Sequence, residues 1–358
     1  MDTRPMLLEV NDLKTHIFLD EGTVRAVDGV SFNIRRGQTV GVVGESGCGK
    51  SITARSILRI VRRPGKIIEG NITLHRPEGP VDLSTLPEQG DLMRSIRGRE
   101  IAMVFQEPMS SFSPVHTIGA QIGEAILLHQ HVTKPEARQL TLNILEKVGM
   151  PHPGQTIDRY PHQLSGGQRQ RAMIAMALSC NPDLLIADEP TTALDVTTEA
   201  QILSLMRTLQ QDLGMAIMFI THNLGVVAQM TERVIVMYMG KVVEDASVDD
   251  LFYQPKHPYT QALLRSIPRM GSKSTNPEAR TKLASIRGTV PDPYSVPKGC
   301  PFHPRCNEAI RGTCNVVTPP LVKVGEEHEV RCHLYAPQSQ FIAPNEISAP
   351  IPHPGIGA

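Results

Sequence analysis

The chain has 358 residues, enough for about two to three ordinary domains, so more than one folded region is expected. Lys plus Arg and Asp plus Glu each number 36, and the zero formal charge excludes global electrostatic capture of nucleic acid. Apolar residues at 40%, with 29 Pro, no Trp and 4% aromatic side chains, exclude both a chain disordered throughout and a disulfide-stapled mini-protein.

From the amino terminus, Met1 to Lys14 carries acidic residues and no apolar signal core, which predicts a reducing cytosolic setting and free thiols. No apolar run approaches the roughly 18 residues that span a bilayer. Leu7 to Asn33 reads as antiparallel strands broken at Gly22. Gln38 to Val43 is a short apolar strand; a Gly-rich turn follows, and then a helical pattern at Ile52, Ile57 and Ile60. Asn71 to Leu83 predicts a strand pair and Ile101 to Gln106 a buried strand. Ile118 to Met150 predicts two helices separated near Thr133 to Pro135, the core of a helical insertion over about 107–161.

Leu164 to Gln168 (LSGGQ) precedes a helical stretch, with Ser165 placed as its amino-terminal cap. Asp183 to Asp188 and Met215 to Ile220 predict buried strands on either side of a helix over Val196 to Leu213. Arg233 to Met237 and Lys241 to Val243 add short strands. Near-continuous apolar strands alternating with helices predict an α/β fold, a mostly parallel sheet covered on both faces. Ser272 to Arg280 is polar enough for a linker, and from Ala336 the chain is Pro-rich and aperiodic, a tail.

Gly44-Glu45-Ser46-Gly47-Cys48-Gly49-Lys50-Ser51 fits the phosphate-loop pattern, between a strand and a helix as that loop requires. Consecutive backbone N–H groups curl around a polyphosphate, and the helix opening at Lys50, Ser51 and Ile52 points its positive end at the same anion. Lys50 is expected to neutralise the β and γ phosphates of ATP and Ser51 to ligate Mg²⁺. Cys48 reads as a small residue of the loop. Asp188-Glu189 ends an apolar strand, where carboxylates project into the ligand crevice of a parallel sheet. Asp188 is the expected Mg²⁺ carboxylate and Glu189 the general base for the attacking water.

With LSGGQ, Ala193-Leu194-Asp195 and Ile220-Thr221-His222 in this order, Leu7 to Pro268 resembles the ATP-binding-cassette (ABC) ATPases. The resemblance implies a P-loop NTPase fold with an antiparallel β subdomain and a helical subdomain, spanning residues 1–268. It assigns Gln106 as the Q-loop residue touching Mg²⁺ or the water and His222 as the switch histidine. Asp195 becomes the D-loop acid, and Ser165, Gly166, Gly167 and Gln168 become the signature that caps ATP held by a partner ATPase. The family stacks adenine on an aromatic residue; here the matching stretch reads His16-Ile17-Phe18, with Ile17 at the usual aromatic position and Phe18 or His16 as the alternatives for stacking.

His257-Pro258-Tyr259-Thr260-Gln261-Ala262-Leu263-Leu264 and Gly299-Cys300-Pro301-Phe302-His303-Pro304-Arg305-Cys306 resemble segments of dipeptide and oligopeptide importer ATPases of the DppD/OppD type. That implies an ATP-hydrolysing importer subunit paired with a second, non-identical ATPase, two membrane permeases and an external solute-binding protein. It would sit peripherally on the cytoplasmic face of the inner membrane. Another solute, such as a nickel complex or sugar, is the alternative cargo. A soluble cassette ATPase acting on nucleic acid is disfavoured, since no second cassette, coiled coil or basic insertion is present.

Residues 269–335 carry Cys300, Cys306, Cys314 and Cys332, ahead of the 336–358 tail. Structural zinc sites usually include a pair two to four residues apart, which is absent here. Four thiolates can also hold an iron–sulfur cluster. Resemblance favours a [4Fe-4S] cluster, with zinc and unligated thiols as alternatives, and His328 and His333 lie close enough in sequence to compete as ligands.

Overall fold

The computed structural model describes residues 2–107, 111–267 and 286–336. The sequence-predicted linker and nearly all of the Pro-rich tail lie outside them.

Two sheets meet at the Gly-rich loop of residues 44–49, where Gly49 approaches Ala26 of one and Gly44 approaches Met237 of the other. The first is antiparallel, in the order β2 (Gly22–Arg35), β1 (Met6–Leu19), β4 (Gly65–Arg76), β5 (Gly79–Asp82). Its inward residues Leu8, Val10, Leu13, Val27, Val30, Ile34, Ile72 and Leu74 are almost wholly buried, and apart from Leu7 and Ala26 their neighbours along each strand are more exposed. That alternation is what a one-faced antiparallel sheet requires. The second sheet has eight strands, ordered β11 (Val322–Gly325), β12 (His328–Val330), β10 (Lys241–Ser247), β9 (Arg233–Tyr238), β3 (Thr39–Val43), β8 (Ala216–Ile220), β7 (Leu184–Asp188), β6 (Ile101–Val104). From β9 to β6 every pairing is parallel, and β10, β12 and β11 then run antiparallel at one edge. Each residue of β3, β6, β7 and β8 is buried, as expected for strands covered on both faces.

Helix α1 (Lys50–Ile57) follows β3, and the short α2 (Asp91–Ile96) precedes β6. The helical insertion is α3 (Ile118–His129), α4 (Lys134–Lys147) and the single turn α5 (Pro153–Thr156). A capping box closes the start of α4, with Glu136 accepting from the Thr133 N–H at 2.7 Å. Then come α6 (Gly166–Leu178), α7 (Val196–Leu213), α8 (Leu224–Met230), α9 (Val248–Tyr253) and α10 (Pro258–Arg265).

Helices α2, α8, α9 and α10 are absent from the sequence reading because each is eight residues or shorter, too few turns for a periodicity to emerge. Strand β10 runs four residues past its predicted end at Val243, because the acidic Glu244 and Asp245 interrupt the apolar pattern without ending the strand. Both carboxylates are buried because both are paired. Asp245 takes a bidentate Arg233, with Nε to Oδ1 at 2.7 Å. Glu244 accepts from the Lys256 and His257 N–H groups at 2.6 and 2.9 Å, and lies 2.8 Å from His328 Nε2.

His257, fully buried, caps α10 through Nδ1, which accepts the Tyr259 N–H at 3.0 Å. Burial pushes its pKa down from 6.5 to about 4, so the folded protein holds it neutral. Its stabilising contribution is complete above about pH 6.5 and is lost as pH falls toward 4, because the unfolded chain takes up that proton first. Thermal unfolding is therefore expected to drop to lower temperature between pH 6.5 and 4, and His257→Gln is expected to flatten the decline. An unchanged pH slope in that variant would refute the assignment.

Candidate functional site

Strand β3 delivers the chain to Gly44, and the loop closes at Gly49, the residue before α1. Gly49 sits at φ +104, and a Cβ there would lie 2.1 Å from the Ala26 carbonyl oxygen, so only glycine lets the first sheet approach this closely. Lys50 is buried, with Nζ donating to the carbonyls of Gly44 at 2.7 Å and Glu45 at 3.2 Å and lying 3.8 Å from Cys48 Sγ. Burial raises the Cys48 thiol pKa, which keeps the thiol protonated and inert and fits its reading as a small packing residue.

Ser51, on the first turn of α1, donates from Oγ to Asp188 Oδ1 at 2.9 Å. Desolvation pushes the Asp188 pKa up, and the Ser51 hydrogen bond works against that rise. A buried carboxylate beside a hydroxyl at the mouth of a phosphate loop is a hard-oxygen donor pair suited to a divalent cation such as Mg²⁺.

Glu189 follows at φ +47, its N–H donating to the Ile220 carbonyl at 2.9 Å. This left-handed turn breaks the strand direction where three side chains gather on one carboxylate. Gln106 Nε2 donates to Glu189 Oε2 at 3.1 Å, Thr192 Oγ1 donates to the same oxygen at 3.0 Å, and His222 Nδ1 lies 3.2 Å from Oε1. Gln106 arrives just beyond β6, Glu189 beyond β7 and His222 beyond β8, so three neighbouring parallel strands release them at one carboxyl end. Thr192 lies outside the sequence-predicted site, and only the fold shows its hydroxyl on Glu189.

Ser165 caps α6, accepting the Gln168 N–H at 3.3 Å while Gln168 Oε1 accepts the Ser165 N–H at 3.1 Å. Gly167 packs under Thr198, where a Cβ would come within 2.8 Å of the threonine methyl. Asp195 caps α7, accepting from Thr198 N–H and Oγ1 at 2.9 and 2.7 Å, and those bonds lower its pKa. Among the described residues, no hydrogen bond ties residues 165–168 to the phosphate loop. In the stretch expected to face adenine, Phe18 is half-exposed, Ile17 is paired to Val24 and Gly65, and His16 Nε2 is buried 3.9 Å from Asp28 Oδ1.

Residues 27–192 match the model of the family described as "ABC transporter", and residues 243–314 match "Oligopeptide/dipeptide transporter, C-terminal region". The chain is 51% identical over 330 residues to the oligopeptide transport ATP-binding protein AppD of Bacillus subtilis, spanning 92% of this chain and 97% of that one. The chain belongs to the ABC transporter ATP-binding proteins of the oligopeptide/dipeptide branch. It is 48% identical to a putative peptide import ATP-binding protein of Brucella ovis, over 92% of this chain and 97% of the relative. Among solved structures, the dimeric ATP-binding cassette MJ0796 bound to ADP and Pi superposes with a TM-score of 0.60 at 27% identity, covering 68% of this chain and 99% of that one. As a member of this ABC family the chain is an ATPase. Among the described residues no helix is long and apolar enough to cross a membrane.

The four late cysteines of this ABC protein are all free thiols. They come from separate turns, and burial above all pushes Cys300 up to about 11 and Cys332 up to about 12. The Cys300 N–H donates to the Cys314 carbonyl at 2.8 Å, and the Ile310 N–H donates to Cys314 Sγ at 3.3 Å. Among the described residues, however, no three or more His, Cys, Asp or Glu side chains form a group able to hold a metal ion. His328 Nε2 is occupied by Glu244, and His333 Nε2 lies 2.8 Å from the Val317 carbonyl.

Two residues outside the sequence-predicted site reach the phosphate loop. The Glu45 N–H donates to Tyr259 Oη at 2.9 Å, and the Glu45 carboxylate takes both Arg305 nitrogens at 2.7 and 3.0 Å. Both partners lie in the importer-type motifs, which was the signal available for them.

Proposed function

We propose that this chain is the ATP-hydrolysing subunit of a peptide importer, peripheral on the cytoplasmic face of the membrane. It would work with a second, non-identical ATPase, two permeases and an external solute-binding protein. The observation that carries the reading is the convergence of Ser51 with Asp188, and of Gln106, Thr192 and His222 on Glu189, in a chain whose relatives bear peptide-import names along nearly their whole length.

The loop amides of residues 44–51 and Lys50 would hold the triphosphate; Ser51, Asp188 and Gln106 would hold Mg²⁺, which neutralises charge on the β and γ phosphates when bound. Glu189 takes the proton of the attacking water, and His222, on the other side of the carboxylate, orients it. Ser165 to Gln168 and Asp195 stand at the seam, where the signature offers a helix amino terminus to ATP held by the partner. ATP gripped by both subunits favours the closed pair, which is how binding drives the permeases.

The helical subdomain, about 107–161 of a 1–268 ATPase domain, is proposed as the permease-facing part. A cleft there is lined by Gly119, Ala120 and Gly123 of α3 with Ala137 of α4, and Leu127 and Leu128 stand exposed beside it. The exposed leucines are the apolar surface such a contact would cover. Copurification with the permeases, and ATP hydrolysis stimulated by a peptide-loaded solute-binding protein in the reconstituted complex, test this reading; absence of both would defeat it.

The cysteine-bearing region, 269–335, is proposed to hold a [4Fe-4S] cluster. Support comes from its four free cysteines and from the Cys300 N–H to Cys314 carbonyl bond that ties two of their turns together. Anaerobically purified protein is expected to be brown, with about four iron and four acid-labile sulfide per chain. Colourless protein with stoichiometric zinc, or with no metal, would overturn the cluster.

A further inference from the structure

A carboxylate inside a phosphate loop is an electrostatic liability, since it stands beside the place where a triphosphate is to bind. Glu45 is such a residue, and its charge is met by Arg305, from a segment 260 positions away in sequence. Arg305 is itself rigidly held. Its side chain is 5% exposed, and Nε donates to the Arg287 carbonyl at 3.1 Å. Nη1 also reaches the Tyr238 hydroxyl at 3.3 Å, and the guanidinium lies 5.9 and 6.0 Å from the Tyr238 and Phe302 ring centres. Tyr238, Tyr259 and Phe302 pack on one another with ring centres 4.7 to 5.4 Å apart. From that aromatic cluster Tyr259 also reaches the Glu45 N–H, so one support grips both the backbone and the side chain of a single loop residue.

We propose that Arg305 and Tyr259 are positioning residues of the phosphate loop: Tyr259 anchors its backbone at Glu45, and Arg305 cancels the Glu45 charge so that the loop accepts a triphosphate. Both lie in the part of the chain matched by the oligopeptide/dipeptide C-terminal family and outside the matched cassette core. The C-terminal segment thereby becomes a strut of the nucleotide site. This inference rests on the ATP-binding reading above.

The test is a double-mutant cycle on the full chain, read as the Kd for MgATP by calorimetry and as the KM and kcat of hydrolysis. Arg305→Ala is expected to raise Kd and KM about tenfold with kcat little changed, the size of one partly screened charge interaction. In a Glu45→Gln background the same Arg305→Ala change is expected to cost less than twofold, because no carboxylate is left to neutralise. Arg305→Lys is expected to recover part of the affinity. If Arg305→Ala fails to fold, Arg305→Gln and Tyr259→Phe carry the comparison, with thermal unfolding measured beside binding. A tenfold loss that persists in the Glu45→Gln background, or an unchanged Kd in a folded Arg305 variant, overturns the proposal. Wild-type chain that binds no MgATP defeats instead the reading on which it rests.

Discussion

Glu189→Gln is expected to bind MgATP with near wild-type affinity while hydrolysing it at least about a hundredfold more slowly, the low end of what losing a general base costs. The amide fills the same volume but cannot accept the water's proton. Its contacts explain why binding should survive: Gln106, Thr192 and His222 meet this side chain and not the phosphate loop, whose amides and Lys50 are untouched. The trapped ATP should also prolong the closed pair with the partner ATPase, visible as a larger species in gel filtration with ATP present. Steady-state turnover within about threefold of wild type would remove Glu189 from the role of base. Asp188 offers the contrast. Substituting it disturbs the Ser51 pair, so an Asp188→Asn protein should lose its Mg²⁺ dependence together with activity.

The largest stability effect is expected at Glu244. Its carboxylate is fully buried and joins β10 to the start of α10 through two backbone N–H groups and to β12 through His328. Those hydrogen bonds outweigh desolvation and hold its pKa below the ordinary value. Glu244→Ala leaves two buried N–H groups and a buried imidazole without their acceptor, at a cost of about 3–5 kcal/mol. A fall in melting temperature on the order of 5–10 °C should follow, with the 286–336 segment opening first in hydrogen exchange. A shift under about 2 °C with unchanged exchange would show that the network is dispensable.

Much of the nucleotide site was legible in the chain because phosphate binding uses backbone geometry, and backbone geometry leaves a local trace. Gly at 44, 47 and 49, Lys50 and Ser51 must follow one another for the loop to close, so their spacing carries the chemistry. The acids at 188 and 189 were readable for a related reason: an apolar run ending in a carboxylate marks a parallel strand entering a crevice. Thr192, whose hydroxyl completes the group around Glu189, has no such mark, since a threonine after a strand has many ordinary uses.

A chain of 358 residues is longer than one cassette, and the sequence by itself determined where the added region begins to differ, what motifs it carries and that its cysteines crowd together. Tertiary structure alone decided how that region is used. β11 and β12 are four and three residues long, too short to show a periodicity; β12 pairs with β10 and β11 with β12, which makes them the edge of the main sheet. The Arg305–Glu45 pair joins residues 260 positions apart, and Glu244 joins Lys256, His257 and His328 around one buried charge. A local motif can announce a loop whose ligands are its own amides. A buried charge announces nothing until the fold brings its counterpart to it, because in the linear chain the two look like separate surface residues.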